Sequence, residues 1–358
     1  MSSAEALPTP GTRVCPASFG EIITHHLERH VPLPAAFRDL LARSVLRHLD
    51  SQILIEDPFL AFASPPPAAA QIEIPAFPVL HAVADTLAQV REEGLGPHLY
   101  RLTGLFGHIM LSLSGTPEQV AAVREWVAQG RGGAFFMTDR GGPALQQWHS
   151  RLEVEGDAWH VSLDKIWTIG AVDCEFAIVV VSRQGSMAPV ALLLGPEQCV
   201  PLHRQASGLP YFAGRVQLGS CRGAFVGSPA MALTRGGLIA VKQFLTIVRP
   251  RLVLALMAHL DWLLVQGRLH ISPAHREAID CLRELCGAIS RAKFYTRHSE
   301  DEVMALKFAS NTLLLDCVEN GEVPDAMDAR DMLAMTKMEG SSYRCFYEIY
   351  MRNRGRRQ

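Results

Sequence analysis

The chain is 358 residues long, 48% hydrophobic and 20% charged, with a net charge of −2. That composition suits a globular protein with two or three substructures around sizeable cores, and its overall field favours neither nucleic acid nor an acidic membrane surface. Eight cysteines are scattered without a Cys-x-x-Cys pair, so they read as reduced cytosolic thiols, mostly core filler. Met1 to Pro10 is polar and holds no apolar run, unlike a signal peptide. Leu252 to Val265 is interrupted by His259 and Asp261, so it reads as a buried helix and not a membrane span. The basic tail, Arg352, Arg354, Arg356 and Arg357, reads as a solvated, frayed end. A cytoplasmic protein without nucleic-acid or membrane partners is expected.

Helical spacing runs from Phe19 to Ile55 through Ile22, Ile23, Leu27, Phe37, Leu40, Leu41, Val45 and Leu46. Ser64-Pro65-Pro66-Pro67 breaks it, because proline cannot sit in a helix interior. His26 and His30 lie four apart, but a zinc site would need a third ligand; they read as exposed helix histidines, and no metal is expected. Val79–Val90 and Leu99–Leu113 look helical again. Thr116-Pro117-Glu118-Gln119 is a helix start, with Thr116 as the N-cap, Pro117 in the first turn and Gln119 at the capping-box position. This helix is expected to run to Gln129 and stop at Gly130.

After Gly132 the period changes. Ala134–Thr138, Arg151–Thr168, Phe176–Ser182, Pro189–Leu194, Arg215–Leu218 and Ala224–Val226 read as strands, with turns such as Glu155-Gly156-Asp157 between them, which implies a small antiparallel β domain. From Gly236 the helical period returns over Leu238–Val265, Pro273–Arg297, Ser299–Glu319, Asp325–Met338 and Tyr343–Asn353. The expected organisation is a helical domain over 1–130, a β domain over 131–235 and a helical bundle over 236–358, an α+β chain that is mostly α. No Gly-x-Gly-x-x-Gly follows a strand and no P-loop is present, which disfavours nicotinamide and nucleoside-triphosphate enzymes of those types. Ser114 and Ser228 lie in no nucleophile elbow, so a serine hydrolase has no support.

Four local segments, in one order, carry a resemblance. Gly115-Thr116-Pro117-Glu118-Gln119 precedes Gly133-Ala134-Phe135-Phe136-Met137-Thr138-Asp139-Arg140-Gly141. Gly156-Asp157-Ala158-Trp159 precedes Lys165-Ile166-Trp167-Thr168-Ile169-Gly170-Ala171. Val248-Arg249-Pro250 is read as opening a long helix rich in alanine and leucine. Leu306-Lys307-Phe308-Ala309-Ser310 leads on to Met338-Glu339-Gly340-Ser341-Ser342. Together they resemble the acyl-CoA dehydrogenases over roughly Gly115 to Arg352, the last segment matching that family's Tyr-Glu-Gly-Thr-Ser. The resemblance implies an acyl-CoA dehydrogenase-like fold: an N-terminal helical domain, a central antiparallel β domain and a C-terminal four-helix bundle. It also implies FAD as cofactor and a homodimer or homotetramer, because in that family the FAD tail crosses a subunit interface.

The implied chemistry is removal of an α proton from an acyl thioester by Glu339 while a flavin accepts a hydride from the β carbon. A base for that step must be dry, oriented and raised in pKa. Backbone groups at Gly340 would hold the substrate carbonyl, with Arg249 near the wall of the site. Met137, Thr138, Trp167, Thr168 and Ser341 are the implied flavin contacts, and Arg268 the implied contact to its diphosphate. In part of the family the base lies on the long helix instead; that position here is Val248, which cannot be a base.

Thr168 stands one residue before the family's hydroxyl, and a one-residue shift turns a strand side chain to the other face unless the strand is bulged. Ala144 replaces a serine that helps place the pantetheine arm, and Arg268 alone survives from the family's diphosphate segment. These departures suit a specialised biosynthetic member acting on acyl-CoA or on an acyl-carrier protein, with an electron acceptor the sequence does not identify. The alternatives are a flavin monooxygenase on the same fold and a binding or scaffold homologue with impaired catalysis.

Overall fold

The computed structural model describes residues 16–50, 72–142, 145–156, 158–186, 189–235, 237–338 and 342–354. The residues numbered 1–10, the proline break at 64–67, Ala144, and Glu339, Gly340 and Ser341 lie outside the described residues. The helices α1 (Pro16–Leu27) and α2 (Ala35–Asp50) are followed by a two-residue strand β1 (Ile72–Glu73), α3 (Val79–Glu93), α4 (Leu99–Ser114) and α5 (Pro117–Ala128). The strands are β2 (Gly133–Phe136), β3 (Arg151–Glu155), β4 (Ala158–Ile169), β5 (Phe176–Arg183), β6 (Val190–Leu194), β7 (His203–Ala206) and β8 (Leu218–Gly227), with the one-turn helix α6 (Pro196–Cys199) before β7. Then come α7 (Gly237–Val265), α8 (Pro273–Ser290), β9 (Phe294–Tyr295), α9 (Arg297–Glu319), α10 (Ala326–Met335) and α11 (Ser342–Arg354).

These elements form two compact units, each assembled from separate stretches of sequence. One contains α1, α2, α8, α9 and α11, together with β1 paired to β9. Here α1 packs on α2 and α9, α2 on α8, and α9 on α8 and α11, burying Ile22, Ile23, Leu41, Leu282, Leu285, Phe308 and Phe346. The other unit contains α3, α4, α5, the large sheet and α7; α3 and α4 pack on α7, and α4 also meets β2. The division falls within α10, after Asp331. Periodicity identifies elements but not which of them touch, so the helices that follow the sheet in sequence divide between the units.

The sheet has seven strands in the order β2-β5-β3-β4-β8-β7, with β6 also paired to β5. It is mixed: β2 and β3 each run parallel to β5, while the remaining pairs are antiparallel. The parallel pairs arise because β5 returns between β2 and β3 after the β3–β4 hairpin, a crossover that turn signals do not reveal. Its core is built from Phe136, Leu152, Val161, Leu163, Val179, Val181, Leu192 and Leu194.

The capping box at Thr116 forms as expected, with Gln119 N–H bonded to the threonine hydroxyl at 3.2 Å and Thr116 N–H to the glutamine side chain at 2.8 Å. Other expectations change. The helical stretch from Phe19 is two helices, because Pro32 and Pro34 fall between α1 and α2. His26 is buried, at 5% exposure, while His30 lies beyond the end of α1 and faces Glu302 at 3.3 Å. The helix expected to Arg297 ends at Ser290, where β9 begins to approach β1. Val248-Arg249-Pro250 does not open a helix; it lies inside α7, whose neighbours α3 and α4 hold it through the missing proline N–H. Arg352 and Arg354 close α11 rather than fraying from it. Among the described residues no helix is long and apolar enough to cross a membrane.

Candidate functional site

The β domain presents its distinctive geometry at the end of β4. Val161, Leu163 and Lys165 point inward, at 2%, 2% and 0% exposure, so regular alternation would bury Trp167 as well. The register against β8 shifts instead: Lys165 faces Cys221, but Thr168 faces Gly219, so one extra residue is accommodated. Trp167 takes a left-handed backbone, with φ of 54°, and its side chain remains outside at 65% exposure. Thr168 then turns inward, at 4% exposure, with its hydroxyl 3.4 Å from the Ile166 carbonyl. The bulge thus separates the two residues that the sequence reading had grouped as flavin contacts.

A second segment lies beside the bulge. Ile166 N–H donates to the Thr138 carbonyl at 3.1 Å, and Arg140 N–H to the Asp164 carbonyl at 3.1 Å. Met137 is 43% exposed, and Thr138 is exposed too. Met137, Thr138 and Trp167 therefore stand on adjoining backbone segments and form an exposed ledge of one thioether, one hydroxyl and one indole.

A wholly buried ion pair fixes that ledge from beneath. Lys165 Nζ lies 3.2 Å from Asp139, both side chains at 0% exposure, and also donates to the Met137 carbonyl at 3.2 Å. The ammonium sits 4.4 Å above the centre of the Trp148 ring. Asp139 accepts three backbone N–H bonds, from Gly141 (2.9 Å), His149 (2.8 Å) and Ser150 (3.0 Å). Gly141 is required here because a Cβ would fall 1.8 Å from the Gln147 carbonyl oxygen. Burial alone would raise the Asp139 carboxyl, but the bonds from Ser150, Gly141 and His149 and the charge of Lys165 outweigh it and hold the group at about 2. Burial has the opposite result for Lys165 and pulls it down to about 8, because the ammonium has fewer partners than the carboxylate.

The carboxyl value implies an acid limit for the unit that holds the sheet. A carboxyl depressed from 3.8 to about 2 stabilises the fold fully above the unfolded value, and that stabilisation is lost as pH falls towards 2. Chemical denaturation between pH 5 and pH 2.5 is expected to show this loss, and Asp139→Asn is expected to flatten that limb of the profile.

The remaining residues are placed as follows. Arg249 is buried within α7 at 7% exposure. Arg268 is 2.5 Å from Asp328, and its guanidinium lies 5.3 Å from the Trp262 ring centre, so one face of it is committed. Glu339, Gly340 and Ser341 follow a turn over 336–338 whose start is anchored by α9. Lys307 Nζ donates to the Met335 carbonyl at 3.1 Å, and Asn311 Nδ2 to the Thr336 carbonyl at 3.0 Å, both side chains fully buried. Lys165, Asp139 and Lys307 lie within the sequence motifs, and their structural roles emerge only from the fold. The available signal was a lysine at a position where strand alternation demands an inward side chain, which calls for a buried counter-charge.

The element order, helices then a sheet then helices, is that of an acyl-CoA dehydrogenase-like fold, which the solved structures below share. No protein-family model and no curated protein sequence matches the chain. Solved structures do. FkbI, for biosynthesis of the methoxymalonyl extender unit of the Fk520 polyketide immunosuppressant, is similar with a TM-score of 0.61 and 12% identity over 77% of this chain and 85% of that one. A glutaryl-CoA dehydrogenase from Mycobacterium smegmatis in complex with FADH2 gives 0.56 and 12%, covering 78% and 95% of the two chains. The prolyl acyl carrier protein oxidase AnaB gives 0.55 and 12%, covering 76% and 82%. At such identities the likeness is one of fold.

Proposed function

We propose that this chain is an FAD-dependent oxidoreductase that desaturates an acyl thioester, with Glu339 removing the α proton. The observation that carries the reading is the exposed Met137–Thr138–Trp167 ledge on a fold shared with flavoenzymes. The indole and the thioether stand exposed on adjoining, rigidly mounted segments, where one flat apolar ring could cover both. Flavin fits this place: Trp167 and Met137 supply apolar surface, and the Thr138 hydroxyl supplies a polar contact. Thr168 would not contribute its side chain, because the bulge turns it inward. Arg268 would have to share or leave Asp328 to reach a diphosphate. When bound, FAD supplies the two-electron acceptor for the hydride leaving the β carbon.

The protein's own residues do the rest. Glu339 takes the proton, backbone groups at Gly340 hold the thioester carbonyl as it gains enolate charge, and Ser341 contacts the flavin. Arg249 completes the wall of the acyl site. The acyl group is carried on CoA or on a carrier protein, in a specialised biosynthetic setting, and the active form is a homodimer or homotetramer in the cytoplasm.

The test is the visible spectrum of the purified protein, then its bleaching under anaerobic conditions by a panel of acyl-CoA and acyl-carrier-protein thioesters. A yellow protein bleached by at least one thioester is expected. A colourless protein that takes up no FAD would overturn the reading in favour of a binding homologue. The ledge can be tested separately with Trp167→Gly. Removing the side chain relieves a left-handed backbone strain of about 1 kcal/mol, so stability should be retained while FAD affinity falls. A variant that binds FAD like the parent removes Trp167 from the site.

A further inference from the structure

A polar cluster unconnected with the proposed reaction lies in the unit that contains α8 and α9. Ser272 caps α8 by accepting the His275 N–H at 3.3 Å, which sets His275 in the first turn. At the end of α9, Gly321 takes a φ of 70° and turns the chain, so that Glu322 returns alongside; the His270 N–H closes this turn on the Glu322 carbonyl at 2.8 Å. Three side chains meet there. His275 Nδ1 is 2.8 Å from Glu322 Oε2 and 3.6 Å from Cys317 Sγ. Their three donor atoms lie within 4.8 Å of one another. Cys317 is fully buried, and His275 and Glu322 are 8% and 9% exposed.

The surroundings orient each of these groups. His275 Nε2 is 2.8 Å from Asp316 Oδ2, and with the ring proton on Nε2 the Nδ1 lone pair faces inward. Ser272 N–H holds Glu322 Oε1 at 3.0 Å and leaves Oε2 aimed at the same point. In that tautomer a nitrogen lone pair and a carboxylate oxygen 2.8 Å apart repel each other unless something positive lies between them. A proton would satisfy those two atoms and leave the thiol 3.6 Å from the nitrogen without a part in the cluster. A metal ion uses all three.

We propose that His275 Nδ1, Cys317 Sγ and the Glu322 carboxylate form a site for a divalent transition metal of the zinc class. Asp316 is the positioning residue for the imidazole, the carboxylate–histidine–metal arrangement common at such sites. Metal–nitrogen and metal–sulfur bonds of about 2.0 and 2.3 Å in a tetrahedron put nitrogen and sulfur about 3.5 Å apart, close to the 3.6 Å found. The nitrogen–oxygen spacing must open by about half an ångström, within reach of a glutamate side chain. A nitrogen, sulfur and carboxylate set selects zinc over magnesium or calcium, which prefer oxygen alone. Three protein ligands leave one position for water or an outside ligand. The site would tie the start of α8 to the end of α9.

The full-length protein, purified without chelator, is expected to hold one zinc per chain after dialysis, measured by inductively coupled plasma mass spectrometry. Cobalt(II) put in its place should give a thiolate-to-cobalt charge-transfer band in the near ultraviolet. Cys317→Ser should abolish that band and His275→Gln the stoichiometric binding. Asp316→Asn keeps every ligand and should weaken zinc binding about 10- to 100-fold. Because the cobalt band is read in the unaltered protein, the test survives even if a variant does not fold. Absence of bound zinc on reconstitution, or cobalt binding without the sulfur band, would overturn the site and leave an imidazole hydrogen-bonded between two carboxylates.

Discussion

Glu339→Gln is expected to lower turnover of the preferred acyl thioester by about 10²- to 10⁴-fold, the usual contribution of a positioned general base. The amide keeps the size and polarity of the side chain and removes only its basicity. The flavin spectrum and its affinity should therefore be unchanged. The chain leading to this residue is anchored by groups that do not depend on a carboxylate at 339: Lys307 holds the Met335 carbonyl, and Asn311 the Thr336 carbonyl. The experiment separates three readings. A dehydrogenase loses turnover and keeps its colour. A flavin monooxygenase on this fold needs no carboxylate at this position and would lose little. A scaffold homologue has no thioester turnover to lose. If Glu339→Gln oxidises thioesters at the parental rate, the base lies elsewhere and the proposed proton transfer is wrong.

Much of the architecture was legible because it rests on local rules. The capping box at Thr116 is written in four consecutive residues, and helix and strand periods gave the long elements their places, but they missed the short β1, α6, β7 and β9 and split β8 into two strands, at Arg215–Leu218 and Ala224–Val226. What was not legible depends on which elements meet. The parallel pairing of β5 with β2 and β3 has no local signature, and neither does the assignment of α7 to one unit and α8 to the other. The His275 cluster shows the same limit: its ligands lie 42 and 47 residues from the histidine, and each is unremarkable in its own segment. The adjacent-looking pair His26 and His30 drew attention instead, yet α1 ends between them. The bulge at Trp167 falls between these cases. Its trace in the sequence is a threonine one place early, and only the pairing of Lys165 and Thr168 with β8 shows which side chain turned.

Lys165→Met is expected to destabilise the unit that holds the sheet by about 3–5 kcal/mol, the cost of stranding one member of a buried ion pair. Methionine approximates the length of the lysine stem, so little packing is lost, but Asp139 remains charged at 0% exposure. Protonation offers it no easy escape, because three backbone N–H groups already favour the carboxylate. For the same reason an apolar double replacement, Lys165→Met with Asp139→Leu, should not restore stability: it would orphan those three donors. The exposed pair between Arg47 and Glu319, at 69% and 56% exposure, is the control, and Arg47→Met should cost no more than about 1 kcal/mol. Urea denaturation midpoints would rank the variants. Loss of Lys165 also frees the Met137 carbonyl, so at low denaturant, where the domain is still folded, FAD affinity should fall along with stability. If Lys165→Met cost less than about 1 kcal/mol, Asp139 would be held by its backbone donors alone, and the ammonium would not be what fixes the ledge.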